Sequence, residues 1–313
     1  MHRPKIAGVL FGSPGGGSFV EAGVRAFERA SAQFGVDVQM CWLDRVEPEW
    51  RVAQLHEVAR SGPALIVLHG AQGEAIAQSV AAGYPQIQFS VSQGEVGGAN
   101  LSSFEVLLEQ PAFLAGMLAG WSSRNGVVGH LSGERVRAGL KGRAAFAAGL
   151  HRTAPAARLL STFCGSQHDA GLAARCVRAQ ADAGADIVFT MLGAGRTGAI
   201  DACRKAGVRQ IGDGIDWCAL EPEVFLASAI ADSGWGSFRA IELLVNDRLI
   251  GGTREITGLE NPAICRLATA PGLGADMRDL IESAAEDIAM ARVSVPTAWE
   301  DVEFGADSSP HPN

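Results

Sequence analysis

Residues 5–19 read Lys5-Ile6-Ala7-Gly8-Val9-Leu10-Phe11-Gly12-Ser13-Pro14-Gly15-Gly16-Gly17-Ser18-Phe19, and this stretch decides the fold. Its first part, 6–11, is an uninterrupted apolar run of strand length. A strand that is apolar on both faces suits a parallel sheet covered by helices on each side. The glycine-rich turn comes next. After it, Val20, Val24, Phe27 and Phe34 recur at helical spacing. Strand, glycine turn and amphipathic helix, in that order, open a βα unit.

The same rhythm continues outward. Strand-like runs at 36–42, 64–69 and 87–91 alternate with helical patterns ending near residue 61 and spanning 74–82. The rhythm restarts after about residue 110. Helical stretches at 113–123, 139–151, 170–183 and 198–205 then alternate with strand runs at 126–131, 157–163, 186–191 and 209–213. A further run at 224–230, a helix at 235–246, a strand-like 254–258 and a last helix at 277–290 complete the pattern. Two sets of this size predict an α/β protein of two doubly wound parallel-sheet lobes. Ligands of such sheets bind outside the carboxyl ends of the strands. The loops to watch are therefore 12–18, 69–73, 165–169, 193–198 and 213–218.

Composition agrees with this reading and excludes others. With 313 residues and 47% hydrophobic content, the chain can bury two cores of ordinary size. Its net charge of −8, with no basic run, argues against a nucleic-acid partner. Cys41, Cys164, Cys176, Cys203, Cys218 and Cys265 form no CxxC pair and show no zinc spacing, so they read as buried small hydrophobes. The apolar run at 6–11 is too short for a signal-peptide core or a membrane span. The expectation is a chain without membrane insertion, either cytoplasmic or an envelope protein whose leader was trimmed.

Three motifs carry candidate chemistry. In the first loop, Ser13, Ser18 and Phe19 could bring backbone N–H groups, hydroxyls and a ring to a ligand. The loop lacks the Lys-Ser/Thr ending of a P-loop, so it gives no triphosphate site. Gly193-Ala194-Gly195-Arg196-Thr197-Gly198 matches the dinucleotide fingerprint, and Asp213 lies about twenty residues on, where a ribose-binding acid would stand. This leaves an NAD-dependent enzyme as one alternative. Asp213, Asp216 and Trp217 offer two carboxylates and an indole for a polar ring. His69, His130 and His168 come with neither a nucleophile elbow nor a zinc-protease helix, so catalysis by them is not indicated.

From its first strand to about Pro296 the chain resembles the basic membrane protein family, which includes purine-nucleoside receptors of ABC importers. The resemblance is carried by Gly17-Ser18-Phe19, by Tyr84-Pro85 leading to Phe89, and by Phe104-Glu105 with Ala112-Phe113-Leu114-Ala115-Gly116. It continues through Val128-Gly129, Gly149, Gly184-Ala185-Asp186, the turn at 193–198, Ile211-Gly212 to Asp216, Ser228 and Val293-Ser294-Val295-Pro296. It implies a type I periplasmic-binding-protein fold with three hinge crossings and a ligand held between lobes. One lobe would comprise 1–109 with 231–258, the other 110–230 with 259–300, and 301–313 would form a flexible tail. It implies a purine-like ligand stacked on Phe19, a carboxylate contact from Asp216, an ABC permease as partner, and neither cofactor nor catalysis.

This chain departs from the family pattern at several pocket positions. Val20 stands for an Asn, Gln167 for an aromatic, Trp217 for a Gln and Ala231 for a basic residue. Contacts expected for a nucleoside sugar are thereby lost, which favours a free nucleobase or another flat heterocycle between Phe19 and Trp217. His69, Gln167 and Gly193 complete the set of expected ligand contacts. A cytosolic ligand-sensing regulator on the same fold is the other non-enzymatic alternative.

Overall fold

A computed structural model describes residues 4–15, 18–300 and 302–305. In chain order the elements begin with β1 (Lys5–Phe11), α1 (Ser18–Phe34), β2 (Asp37–Leu43), α2 (Pro48–Arg60), β3 (Leu65–His69), α3 (Glu74–Val80), β4 (Gln88–Ser92) and β5 (Leu101–Val106). Next come α4 (Glu109–Ser122), β6 (Val127–Ser132), α5 (Arg137–Thr153), β7 (Arg158–Phe163), α6 (Ala170–Asp182), β8 (Ile187–Met191), α7 (Arg196–Ala206), β9 (Arg209–Asp213), α8 (Trp217–Leu220) and β10 (Phe225–Ala231). The series closes with α9 (Trp235–Val245), β11 (Arg254–Thr257), β12 (Cys265–Thr269) and α10 (Ala275–Ala289).

The chain divides into two compact units. One holds the residues up to Val106 together with Asp232–Thr257, and the other holds Leu107–Ala231 together with the chain from Gly258 onward. The first unit's sheet has the order β11-β5-β4-β3-β1-β2, and every pairing in it is parallel. The second has the order β12-β10-β9-β8-β6-β7. Here β12 runs antiparallel to β10, pairing Ala227 with Thr269 and Ala231 with Cys265, and the other pairings are parallel.

Period-two alternation explains how both faces of the first sheet are filled. Ile6 and Leu10 of β1 join Phe27, Leu65, Val67 and Ile241 on the face covered by α1 and α9. Ala7, Val9 and Phe11 point the other way, to Leu55, Ile66, Leu68 and Phe89. β3 is buried at every position. Each buried Leu or Ile is worth about 2 kcal/mol relative to exposure, and a one-residue slip would forfeit both faces at once.

Two strands go unrecognised in the sequence reading. β5 contains Ser102, Ser103 and Glu105, yet all six of its positions are buried. Ser102 donates to the Phe89 carbonyl at 3.2 Å and Glu105 takes Arg254 at 3.2 Å, whereas the buried Ser103 hydroxyl has no hydrogen-bond partner among the described residues. β12 is short and carries Arg266, which masks its apolar run.

In the second unit, α4 is apolar all round, as a helix buried on nearly every side must be. It meets α5 backbone to backbone. A Cβ built at Gly149 would lie 2.0 Å from the Phe113 carbonyl oxygen, and one at Gly116 would lie 2.1 Å from that of Phe146. Either alanine therefore forces the helices apart. Gly149→Ala is expected to destabilise the protein by roughly 1–3 kcal/mol in urea unfolding. An unchanged midpoint would contradict this close approach.

Candidate ligand-binding site

The strand orders give each sheet one switch point. In the first unit the order reverses between β1 and β3, and in the second between β6 and β8. Ligand sites of doubly wound sheets form at such switch points, outside the carboxyl ends. The loop after β1 and the end of β3 meet at the first. The loops after β6 and β8 meet at the second.

At the first switch point Ser13 is exposed just beyond β1. Gly16, Gly17 and the side chain of Ser18 lie outside the described residues. The Gly15 N–H donates to Glu21 Oε1 at 3.0 Å, tying this loop to the first turn of α1. Phe19, the second residue of α1, keeps 38% of its surface exposed. Its ring lies 4.5 Å from that of His69 at an interplanar angle of 31°.

His69, expected among the ligand contacts, ends β3 and is 1% exposed, its ring lying in the interior of the first unit. Its Nε2 is 2.9 Å from the Phe19 carbonyl oxygen, and its Nδ1 is 3.0 Å from the hydroxyls of both Ser92 and Ser237. Burial pushes it down to about 4, opposed by the bond to the Phe19 backbone. The imidazole is therefore neutral at physiological pH. His130 is also fully buried, beside Ser161 and Ser132, and burial with the nearby Arg143 charge holds it at about 3. His168, by contrast, is exposed.

At the second switch point Gln167 and Gly193 come together. The Gly193 N–H donates to Gln167 Oε1 at 3.2 Å, and the Gly195 N–H donates to the Gln167 carbonyl at 3.0 Å. The next loop is organised by a residue the sequence reading missed. Arg196, 2% exposed, forms an ion pair with Asp213 and also donates to the Leu192 carbonyl at 2.5 Å. Its guanidinium lies 4.6 Å from the Trp217 ring centroid, while Phe225 stacks on the same indole at 5.6 Å. The Trp217 Nε1–H donates to the Asp213 carbonyl at 2.9 Å. Trp217, expected among the ligand contacts, is half-buried and engaged by Arg196, Phe225 and the Asp213 carbonyl of its own unit. Asp216 caps α8, its Oδ1 accepting from the Ala219 N–H at 3.2 Å.

These contacts also account for the dinucleotide fingerprint without a dinucleotide. Asp213, the would-be ribose acid, is taken by Arg196. The last glycine, Gly198, faces the Ala170 carbonyl so closely that a Cβ would lie 1.8 Å from it, so its role is the packing of α7 against the start of α6. Among the described residues no group of three or more His, Cys, Asp or Glu could hold a metal ion, and no helix is long and apolar enough to cross a membrane. All six cysteines are free, and burial raises Cys176 to about 11 and Cys203 to about 12.

Over residues 4–282 the sequence matches the model of the Bmp family, described as ABC transporter substrate-binding protein PnrA-like. The chain belongs to this family. Among its relatives, the Bmp protein is 22% identical over 238 residues to a purine-binding protein of Brucella abortus (strain 2308), spanning 76% of this chain and 67% of that one. It is 24% identical over 258 residues to basic membrane protein A1 of Borrelia garinii subsp. bavariensis, spanning 80% and 74%. Among solved structures it matches an ABC transporter solute-binding protein from Aeropyrum pernix K1 with a TM-score of 0.82 at 19% identity, over 95% and 94% of the two chains. It also matches a transcriptional activator of the comK gene from Bacillus halodurans, with a TM-score of 0.78 at 17% identity, over 92% and 99%. The structural likenesses establish the fold: two sheets of mainly parallel strands of the type I periplasmic-binding-protein kind, as in the Caulobacter myo-inositol binding protein.

Two measurements test this geometry in the Bmp protein. His69 and His130 are held below the ordinary value of about 6.5, so the unfolded chain binds more protons than the folded one below that pH. Stability is full above about pH 6.5 and falls as the pH drops toward 4, by roughly 2 kcal/mol for each ring between pH 7 and 5. Urea unfolding at pH 7 and pH 5 checks this, and an unchanged stability would contradict the burial of the rings. Separately, Asp213→Ala leaves the Arg196 guanidinium buried without its carboxylate. It is expected to cost about 3 kcal/mol, against about 1 kcal/mol for loss of the helix cap in Asp216→Ala. Equal costs in thermal or urea unfolding would contradict the buried pair.

Proposed function

We propose that this Bmp protein is the solute receptor of an ABC-type uptake system and that its ligand is a purine base or a similarly flat heterocycle. In the first unit, Phe19 offers a stacking face and Ser13 a polar contact. In the second unit, taken by itself, Gln167, Gly193 and Asp216 offer polar contacts, with Asp213 and Trp217 shaping their loop from behind. The observation that carries this reading is the Phe19 ring, left 38% exposed at a switch point while its backbone is bonded to a buried, neutral imidazole. A large apolar ring kept at a ligand edge rather than folded into the core suits a π-face partner. The name of the Brucella relative, a purine-binding protein, supports the same ligand class.

Loss of the sugar-contacting residues favours the base over its nucleoside. Purified protein should show a saturable rise in melting temperature with adenine or hypoxanthine, a smaller one with their nucleosides, and none with pyrimidines or NAD. Phe19→Ala should weaken binding of the base by about 1–3 kcal/mol, roughly fivefold to 150-fold, in calorimetric titration. No shift with any purine up to millimolar concentration would contradict the ligand assignment while leaving the fold untouched.

A ligand-sensing regulator is the second reading. The fold likeness to a transcriptional activator and the six free thiols support it. The two readings separate in cells: deletion of a receptor abolishes uptake of labelled purine, whereas deletion of a sensor leaves uptake intact.

A further inference from the structure

The buried histidine at the first switch point is not explained by packing. A leucine would fill β3 at that place without burying two polar nitrogens. What the imidazole supplies is a set of directed bonds joining three elements. The Phe19 carbonyl oxygen can only accept, so Nε2 carries the proton and donates to it at 2.9 Å. Nδ1 is then the acceptor, and it lies 3.0 Å from Ser92 Oγ on β4 and 3.0 Å from Ser237 Oγ in the first turn of α9. Both hydroxyls belong to residues with no surface exposure. α1 rests directly on the ring: a Cβ at Gly23 would lie 2.5 Å from His69 Cδ2. α9 in turn begins three residues after Asp232, where the chain re-enters this unit from the other one.

We propose that His69 is a positioning residue, fixing the Phe19 ring from behind by linking the Phe19 backbone to Ser237 of α9. Its consequence for ligand binding rests on the function proposed above, but its structural part does not. The ring presented to the ligand is thereby tied to the helix that begins where the chain passes back into the unit. Phe19 keeps its place because a donor, an acceptor and a packed face all come from one side chain. No single apolar replacement supplies the three together. His69→Gln retains an N–H donor at comparable reach and loses the aromatic face.

The test uses the full chain and two readouts. In hydrogen–deuterium exchange at pH 7, His69→Ala should speed exchange at the amides of Ala22, Gly23 and Val24 by tenfold or more, because their helical acceptors lie in the turn that His69 holds. Amides of β5 and β8 should change less than twofold, His69→Gln should recover part of the protection, and Ser237→Ala should reproduce part of the loss. Unchanged exchange at the start of α1, or a uniform rise throughout the first unit, would overturn the proposal in favour of a purely structural core residue. In calorimetric titration with adenine, His69→Ala should weaken binding at least tenfold in the native chain and not at all in a Phe19→Ala background. Additive losses would overturn it. If adenine binds none of these proteins, the ligand reading fails, and the exchange result still decides the positioning role.

Discussion

The Nε2–H of His69 and the carbonyl of Phe19 meet at 2.9 Å, and the carboxyl edge of the first sheet is arranged around that bond. The bond requires a neutral ring of one tautomer, and burial supplies it by pushing the group down to about 4. It requires an acceptor-seeking hydroxyl on the far nitrogen, which Ser92 and Ser237 provide. It also requires α1 to sit unusually close, which the missing side chain of Gly23 allows. These residues are far apart in sequence, and the parallel sheet brings them to one point.

The second unit solves the same problem with charge. Its switch-point loops are pinned by Arg196, which reaches from the first turn of α7 to Asp213 at the end of β9 and lies against Trp217. A buried guanidinium paired with one carboxylate does little for net stability, but removing either partner is costly, so the pair specifies one arrangement of the loop. Ser228 Oγ accepts from the Trp217 and Cys218 N–H groups at 2.9 and 3.3 Å and seats α8 against β10. The residues left facing outward, Asp216 among them, are held by a frame that is complete within the unit.

Much of the fold was legible because strand and helix periods are written plainly in the apolar residues. The run 6–11, the glycine turn and the helix beginning at Ser18 led directly to a doubly wound sheet, and the family resemblance agreed with the family match over residues 4–282. β5 was not legible, since Ser102 and Glu105 read as polar until the Phe89 carbonyl and Arg254 are seen, and Ser103 is buried without any hydrogen-bond partner among the described residues. The site was harder. The positions of Phe19 and Gly193 follow from their place after strands, but no local signal announces that Ser237 will meet a histidine 168 residues earlier. The surroundings of Trp217 were hidden for a similar reason: an indole beside two carboxylates looks like a ligand platform, and only the structure places Arg196 and Phe225 on it. Tertiary pairing of residues distant in sequence is what single-sequence reasoning could not supply.

In the proposed receptor, a neutral, Nε2-protonated His69 holds Phe19 at the edge offered to the ligand. This arrangement is tested by two spectra at pH 6, imidazole nitrogen-15 and aromatic carbon-13, each recorded before and after addition of adenine. His69 should show a neutral Nε2–H pattern, unchanged in protonation on titration, and the Phe19 ring carbons should shift saturably as adenine binds. A protonated or Nδ1–H imidazole, or an adenine response that leaves Phe19 unmoved and appears elsewhere in the chain, would contradict it.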